Sequence, residues 1–238
     1  MTIPRWKIAI ENAIAQYEKQ IVIQLATVDS KTSIPKVRSH ILRSFLASPA
    51  TPSLPLLVTT TDIRAPKVSQ IIANPNVQVV HWIEGTQEQF RISGRVFLVP
   101  APESPFFAYL MDDIHSAAEN TSGVAALVKD GFDWEKKRVD TFKSLSGHMK
   151  ATWCRPIPGI PLTGGEEEAK KWPVKLEEPK PDDTEESKQN WKTALGNFTL
   201  LIVDPSECDY YELGVIPNRR TNFTKTDDGN WREEQLVP

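Results

Sequence analysis

Four residues within the run TTTDIRAPK have the types and spacing to hold a phosphate: Thr60, Thr61, Arg64 and Lys67. A phosphate monoester is close to dianionic at neutral pH, so two or more cations are expected around it. The apolar run before the cluster ends in Thr-Asp, and a short helix is expected after it. A helix N-terminus presents free N–H groups and the positive end of a dipole to an anion. The threonine hydroxyls add neutral hydrogen bonds. Further cations lie upstream, where Arg38 and Arg43 bracket the strand-like segment RSHILR with His40 inside it. Strict alternation puts Arg38 and Arg43 on opposite faces of such a strand. Both reach one anion only where a bulge or the strand's end redirects one of them.

A second set follows in EQFRISG. Gln89 and Arg91 share one strand face, and Phe90 and Ile92 fill the other. A side-chain amide both donates and accepts, which suits the mixed edge of a flavin ring. A cation there favours the anionic reduced ring. Solvated basic residues on a sheet face are the alternative, and only the neighbouring phosphate cluster argues against it. Tyr210 and Tyr211 are candidates to stack on such a ring, on a strand leading to Arg219 and Arg220. Cys154 is either a reactive thiol beside Arg155 or a buried structural cysteine. The four histidines have no metal-ligand spacing, and no nucleophile elbow, dinucleotide fingerprint or Walker loop is present. No residue stands out as acid, base or nucleophile.

The elements that must position these residues are mostly strands. Ile23–Val28, Val37–Phe45, Leu56–Thr61, Val77–Ile83 and Glu88–Val99 are rich in β-branched and aromatic residues between turn formers. Phe198–Val203 and Asp209–Val215 continue the series, and residues 222–238 read as a hairpin turning at Asp228-Gly229-Asn230. This spacing predicts an antiparallel barrel. Apolar residues at three- and four-residue steps predict a helix over Trp6–Ile21, and another over Arg64–Ala73 stopped by Asn74-Pro75. Peripheral helices are expected between Ser104 and Lys150, among them Val124–Val128 and Trp134–Met149.

The chain of 238 residues is 39% hydrophobic and 25% charged, the composition of a soluble globular protein. Its net charge of −3 argues against bulk nucleic-acid binding. No apolar run is long enough for a membrane span, and no signal peptide is recognisable at the start. Two cysteines without framework spacing point to a reducing, cytoplasmic setting. Residues 163–192 combine charge and proline, which predicts a solvated, flexible insertion in a single domain spanning 1–238. The insertion is either a partner-binding segment or chemically idle.

These motifs resemble a family. RSHILR resembles the R-x-V-L-L-K strand of pyridoxamine 5′-phosphate oxidase, and VTTTDIRAPK its F-Y-T-N-x-x-S-R-K turn. N-P-x-V followed by EQFRISG resembles its N-P-x-V and R-Q-V-R-V-x-G, and Trp231–Pro238 its C-terminal W-K-I-x-R-L-x-P. The T-D-x-R and E-Q-F-R variants look closer to the oxidase-like flavin-binding branch of fungi, plants and cyanobacteria. The resemblance implies a β-dominated α+β fold, an antiparallel split β-barrel with peripheral helices. It further implies a homodimer with FMN at the interface. It places FMN contacts at Arg38, Ser39, His40, Ile41, Leu42, Arg43, Thr60, Thr61, Arg64, Lys67, Gln89, Tyr211 and Arg220. The chain departs from the oxidase where R-x-H holds the substrate phosphate, since Ile216 and Asn218 stand there. Pro66 and Glu88 replace two further arginines. FMN binding by an oxidoreductase of unassigned substrate is the expected function. Genuine pyridoxamine-phosphate oxidation and non-enzymatic flavin binding are the alternatives.

Overall fold

A computed structural model describes residues 2–119 and 121–238. Helix α1 (Arg5–Gln16) buries Trp6, Ile10 and Ala13 along one stripe. It stops at Gln16, short of the predicted Ile21, because Tyr17 leaves helical geometry, and Gln20 beyond it has other partners: its carbonyl meets His81 Nε2 at 2.7 Å and its side chain accepts from Gly85 N. Strands β1 (Val22–Val28) and β2 (Pro35–Ile41) form a hairpin. β3 (Ser44–Leu46) and β4 (Leu56–Asp62) form the next pair. Helix α2 (Pro66–Ala73) follows with proline in its first turn, where a missing N–H costs nothing. Strands β5 (Asn76–Ile83) and β6 (Glu88–Val99) pair over the whole of β5 and the first eight residues of β6. Helices α3 (Phe107–Ser116), α4 (Gly123–Lys129), α5 (Trp134–Ser144), α6 (Gly147–Ala151), α7 (Gly165–Ala169) and α8 (Glu185–Asn197) come next. Strands β7 (Phe198–Glu212), β8 (Arg219–Lys225) and β9 (Trp231–Leu236) complete the chain.

The nine strands make one antiparallel sheet in the order β2-β1-β5-β6-β7-β4-β3, with β8 also on β7 and β9 on β8. Backbone pairing does not close it. The edges β2 and β3 are joined by Leu42 and Arg43, and here the predicted strand Val37–Phe45 is cut. Leu42 N donates to Ile21 O and Arg43 N to Val58 O, each at 2.8 Å, so the chain crosses from the β1 side to the β4 side. One sheet face packs with α1 and α2 around Leu25, Val79, Phe90, Ile92 and Phe223. A second core joins Val58, Phe97, Leu200 and Ile202 to the later helices.

Two predicted strands, Phe198–Val203 and Asp209–Val215, are one strand, β7. Pro205 suggests a break because it cannot donate to a ladder. It is tolerated at a register shift opposite Ser93 and Gly94. A Cβ on Gly94 would lie 2.4 Å from the Asp204 carbonyl oxygen, so only glycine allows this approach. Gly94→Ala is expected to destabilise the protein by about 1–3 kcal/mol, the cost of forced overpacking. Denaturant melting with an unchanged midpoint would contradict this.

The predicted helix Trp134–Met149 is two helices, because Leu145 leaves helical geometry and Ser146 accepts from Met149 N to start the second. Where composition predicts loop over 163–192, the structure shows α7 and the start of α8. Leu176 from this segment is buried in the second core, and its N–H donates to Gly147 O at 3.0 Å.

Candidate functional site

The anion candidates gather where β2, β4 and α2 meet. In β1 the inward positions are Ile23, Leu25 and Thr27, and their pairing partners His40, Arg38 and Lys36 lie on the same face. Arg38 therefore points to the apolar side of the sheet. It is held there by Thr27 Oγ1 at 2.6 Å, Lys36 O at 2.7 Å and Gln70 Oε1 at 2.8 Å. Thr59 and Thr61 alternate inward on β4. His40 Nδ1 lies 3.3 Å from Thr59 Oγ1, which ties β2 to β4 across the gap in the sheet. Lys67 Nζ, in the first turn of α2, donates to Thr61 Oγ1 at 3.2 Å.

The electrostatics here are unusual. Among the described residues, no carboxylate lies within ion-pair distance of Arg38, Arg43 or Lys67. Burial, then the neighbouring Arg38, lowers the Lys67 ammonium from its ordinary range, and Asp62 only partly offsets this. Burial lowers Arg38 as well. His40 falls from 6.5 to about 4 through burial and the charges of Lys67 and Arg38. Its Nε2 is buried without a partner, and so is Nε of Arg43. Packed cations without counter-charge are costly, and an anionic ligand removes the cost.

His40 gives a pH prediction. Its folded pKa lies below the unfolded value, so the unfolded chain binds the proton first as pH falls. Stability is then lost from about pH 6.5 down to about 4, by up to roughly 3 kcal/mol. Denaturation at pH 7.5 and 4.5 should show this loss in the ligand-free protein and a smaller one in His40→Val. Equal losses would refute it.

The other expected site residues are placed differently. Arg64 serves Asp62, with bonds of 2.9 and 2.7 Å to the two carboxylate oxygens, and donates to Arg155 O at 3.0 Å. It neutralises the carboxylate that acts on Lys67 and is itself committed. Thr60 lies on the opposite face of β4 from Thr59 and Thr61. Arg43, redirected by the crossing between β2 and β3, borders a cavity of about 470 Å³ with Lys137, Thr141 and Ser146. Ser39 is exposed, Ile41 half-buried, and the Leu42 side chain belongs to the core.

Gln89, Tyr211 and Arg220 form a second group on the opposite face of the sheet. Gln89 pairs with Tyr211, and Tyr211 with Arg220, so one outward row holds all three. The next outward row holds Arg91 and Asp209. Arg91 Nη2 donates to Asp209 Oδ2 at 2.7 Å and to the Tyr211 hydroxyl at 2.5 Å. Arg220 donates to both Asp209 oxygens at 3.0 Å. Both guanidinium groups lie over the Tyr211 ring, at 4.5 and 4.7 Å from its centroid. Tyr210 instead faces inward, stacked on Phe90 at 4.5 Å and hydrogen-bonded to Glu88. This settles which tyrosine of the pair is available on the outward face.

Thr27, Gln70, Thr59 and Asp209 were not singled out from sequence. A hydroxyl on the apolar face of β1, and an acid two positions before Tyr211, were the available signals. A cavity of about 820 Å³ lies elsewhere, between the strand ends and α3. Its charged groups pair with each other, Arg95 with Asp113 at 2.5 Å and Lys225 with Asp204 at 3.0 Å, so among the described residues it offers no free cation to an anion. Cys154 Sγ lies 2.9 Å from Asn190 O and burial raises its thiol, which opposes a reactive thiolate. Among the described residues no acid, histidine or cysteine cluster suits a metal, and no helix is long and apolar enough to cross a membrane.

Residues 3–100 match the family described as "Pyridoxamine 5'-phosphate oxidase, FMN-binding domain". This part of the chain is similar to the pyridoxamine 5′-phosphate oxidase-like FMN-binding domains. The cofactor is FMN, and the unpaired cations suit its phosphate. The matched stretch contains the whole inward cluster, with Gln89 and Arg91, whereas Asp209, Tyr211 and Arg220 lie beyond it. The chain is 23% identical to an uncharacterized protein of Saccharomyces cerevisiae, covering 93% of each. A pyridoxamine 5'-phosphate oxidase-related, FMN binding protein from Nostoc punctiforme shares the fold over 100% of both chains, at 24% identity and a TM-score of 0.68. PhzG from Burkholderia lata shares it less closely, at 12% identity and a TM-score of 0.50, over 100% of this chain and 94% of that one.

Proposed function

We propose that this protein is a flavin-dependent oxidoreductase that works as a cytoplasmic homodimer. Each protomer is a single split-barrel domain over residues 1–238, with FMN seated between the two copies. The observation that carries the reading is the pair of half-buried cations, Arg38 and Lys67, which have no carboxylate partner among the described residues. In this reading Arg38 and Lys67 hold the phosphate, with Thr61 as a neutral donor. His40, on the same strand face as Arg38, lines the way to the ribityl chain. Gln89, Tyr211 and Arg220 contact the ring. One chain presents these two groups on opposite faces of its sheet, which favours a site completed by a second copy. FMN supplies the redox chemistry when bound, and the side chains orient it and set its charge environment.

Turnover of pyridoxamine 5′-phosphate is disfavoured. Ile216 is fully exposed, and the Asn218 amide is spent on the carbonyls of Leu213 and Val215. Neither offers the cation that a substrate phosphate requires. Purified protein should be yellow and release FMN on denaturation, identified by mass spectrometry. It should bleach on reduction by NADH or NADPH and recover with an acceptor. Colourless protein whose melting does not shift with added FMN would sink the reading.

A further inference from the structure

We propose that Asp209 is a positioning residue that sets the geometry and electron affinity of the ring side of the FMN site. This rests on the reading that Tyr211 and Arg220 meet the flavin. Asp209 accepts from two guanidinium groups, Arg91 at 2.7 Å and Arg220 at 3.0 Å to both oxygens. Those groups in turn hold Tyr211, through its hydroxyl and over its ring. Four side chains thus form one plate, locked by a single carboxylate that is largely buried while Arg91 and Arg220 stay partly exposed. A bidentate pair fixes the plane of a guanidinium as well as its position. Arg220 can then present a fixed donor edge and Tyr211 a fixed ring.

The charge count matters equally. Arg91 and Arg220 carry two positive charges and Asp209 cancels one. The plate therefore offers a net single positive charge to a ring that becomes anionic on reduction. Removing the carboxylate charge leaves both cations uncompensated and favours the reduced form. Removing Arg91 leaves a neutral plate and favours the oxidised form. A unit charge near a half-exposed ring changes the ratio of reduced- to oxidised-FMN affinity by roughly tenfold. For a two-electron couple that is about 30 mV.

The test is redox titration of the FMN-loaded full chain, with the wild type, Asp209→Asn, Asp209→Glu and Arg91→Gln compared. The midpoint potential should rise in Asp209→Asn, fall in Arg91→Gln and stay near the wild type in Asp209→Glu. A purely structural role would alter melting in all three without opposed potential shifts. Potentials in Asp209→Asn and Arg91→Gln that match the wild type, or move the same way, would overturn the proposal. If Asp209→Asn does not retain FMN, Arg91→Gln decides alone, because it keeps the Asp209–Arg220 pair. A wild type that binds no FMN counts against the proposed function instead.

Discussion

Replacing Arg38 and Lys67 together with alanine should cost FMN binding about two to four orders of magnitude while the fold persists. Each residue offers a charge-assisted hydrogen bond, and such bonds contribute about 1.5–3 kcal/mol apiece. The second half of the prediction is the more diagnostic. Buried residues that support a fold destabilise it when truncated. These two are cations in mutual repulsion, Arg38 lowering the Lys67 ammonium, and their bonds to Thr27, Gln70 and Thr61 are to neutral groups. Without FMN, the double variant should melt within about 1 kcal/mol of the wild type or above it, because lost repulsion and desolvation offset the lost hydrogen bonds. Riboflavin, which lacks the phosphate, should bind both proteins alike. Unchanged FMN affinity in the folded double variant would show that the phosphate sits elsewhere.

That expectation separates two kinds of cation that look alike in sequence. Arg64 stands three residues before Lys67, yet its guanidinium is saturated by Asp62 and by backbone carbonyls near Trp153. Those carbonyls are contributed by a segment about ninety residues away, which no local pattern reveals. Arg64→Ala should therefore act chiefly on stability. Asp62 would lose its partner and be left beside Lys67.

What was legible in the sequence followed period and turn chemistry. Strand Glu88–Val99 has the predicted limits, and Gln89 and Arg91 share a face there because alternation fixes them. The terminal hairpin turns at the Asp228-Gly229-Asn230 run, where Thr226 N donates to Asn230 O. Elements failed where a distant contact overrode the local signal. β7 runs through Pro205 because Gly94 on the neighbouring strand makes room. The segment Val37–Phe45 breaks because its two halves pair with different strands. The same break answers the difficulty of Arg38 and Arg43: the strand's end turns Arg43 away, toward α5 and α6. Asp209 was missed because an acid on a strand reads as solvated until its partners, one of them 118 residues earlier, are known.

A mixing experiment should then recover FMN binding from two variants that each lack it. The inward group of one protomer and the outward group of another must meet if the site spans two copies. Arg38→Ala with Lys67→Ala removes only the first, and Tyr211→Ala with Arg220→Ala only the second. Each variant alone has two defective sites per dimer. In a dimer of one of each, one site receives both defects and the other receives none. Random reassortment makes about half of the dimers mixed, so about a quarter of all sites should bind FMN with wild-type affinity. Fluorescence quenching of added FMN measures that fraction after the variants are unfolded and refolded together. A site built within one chain gives no recovery, because every chain carries a defect. The face assignment makes this outcome specific: Arg38 lies in the row of Leu25, Val79, Ile92 and Cys208, and Tyr211 in the row of Gln89 and Arg220, on opposite sides of one sheet.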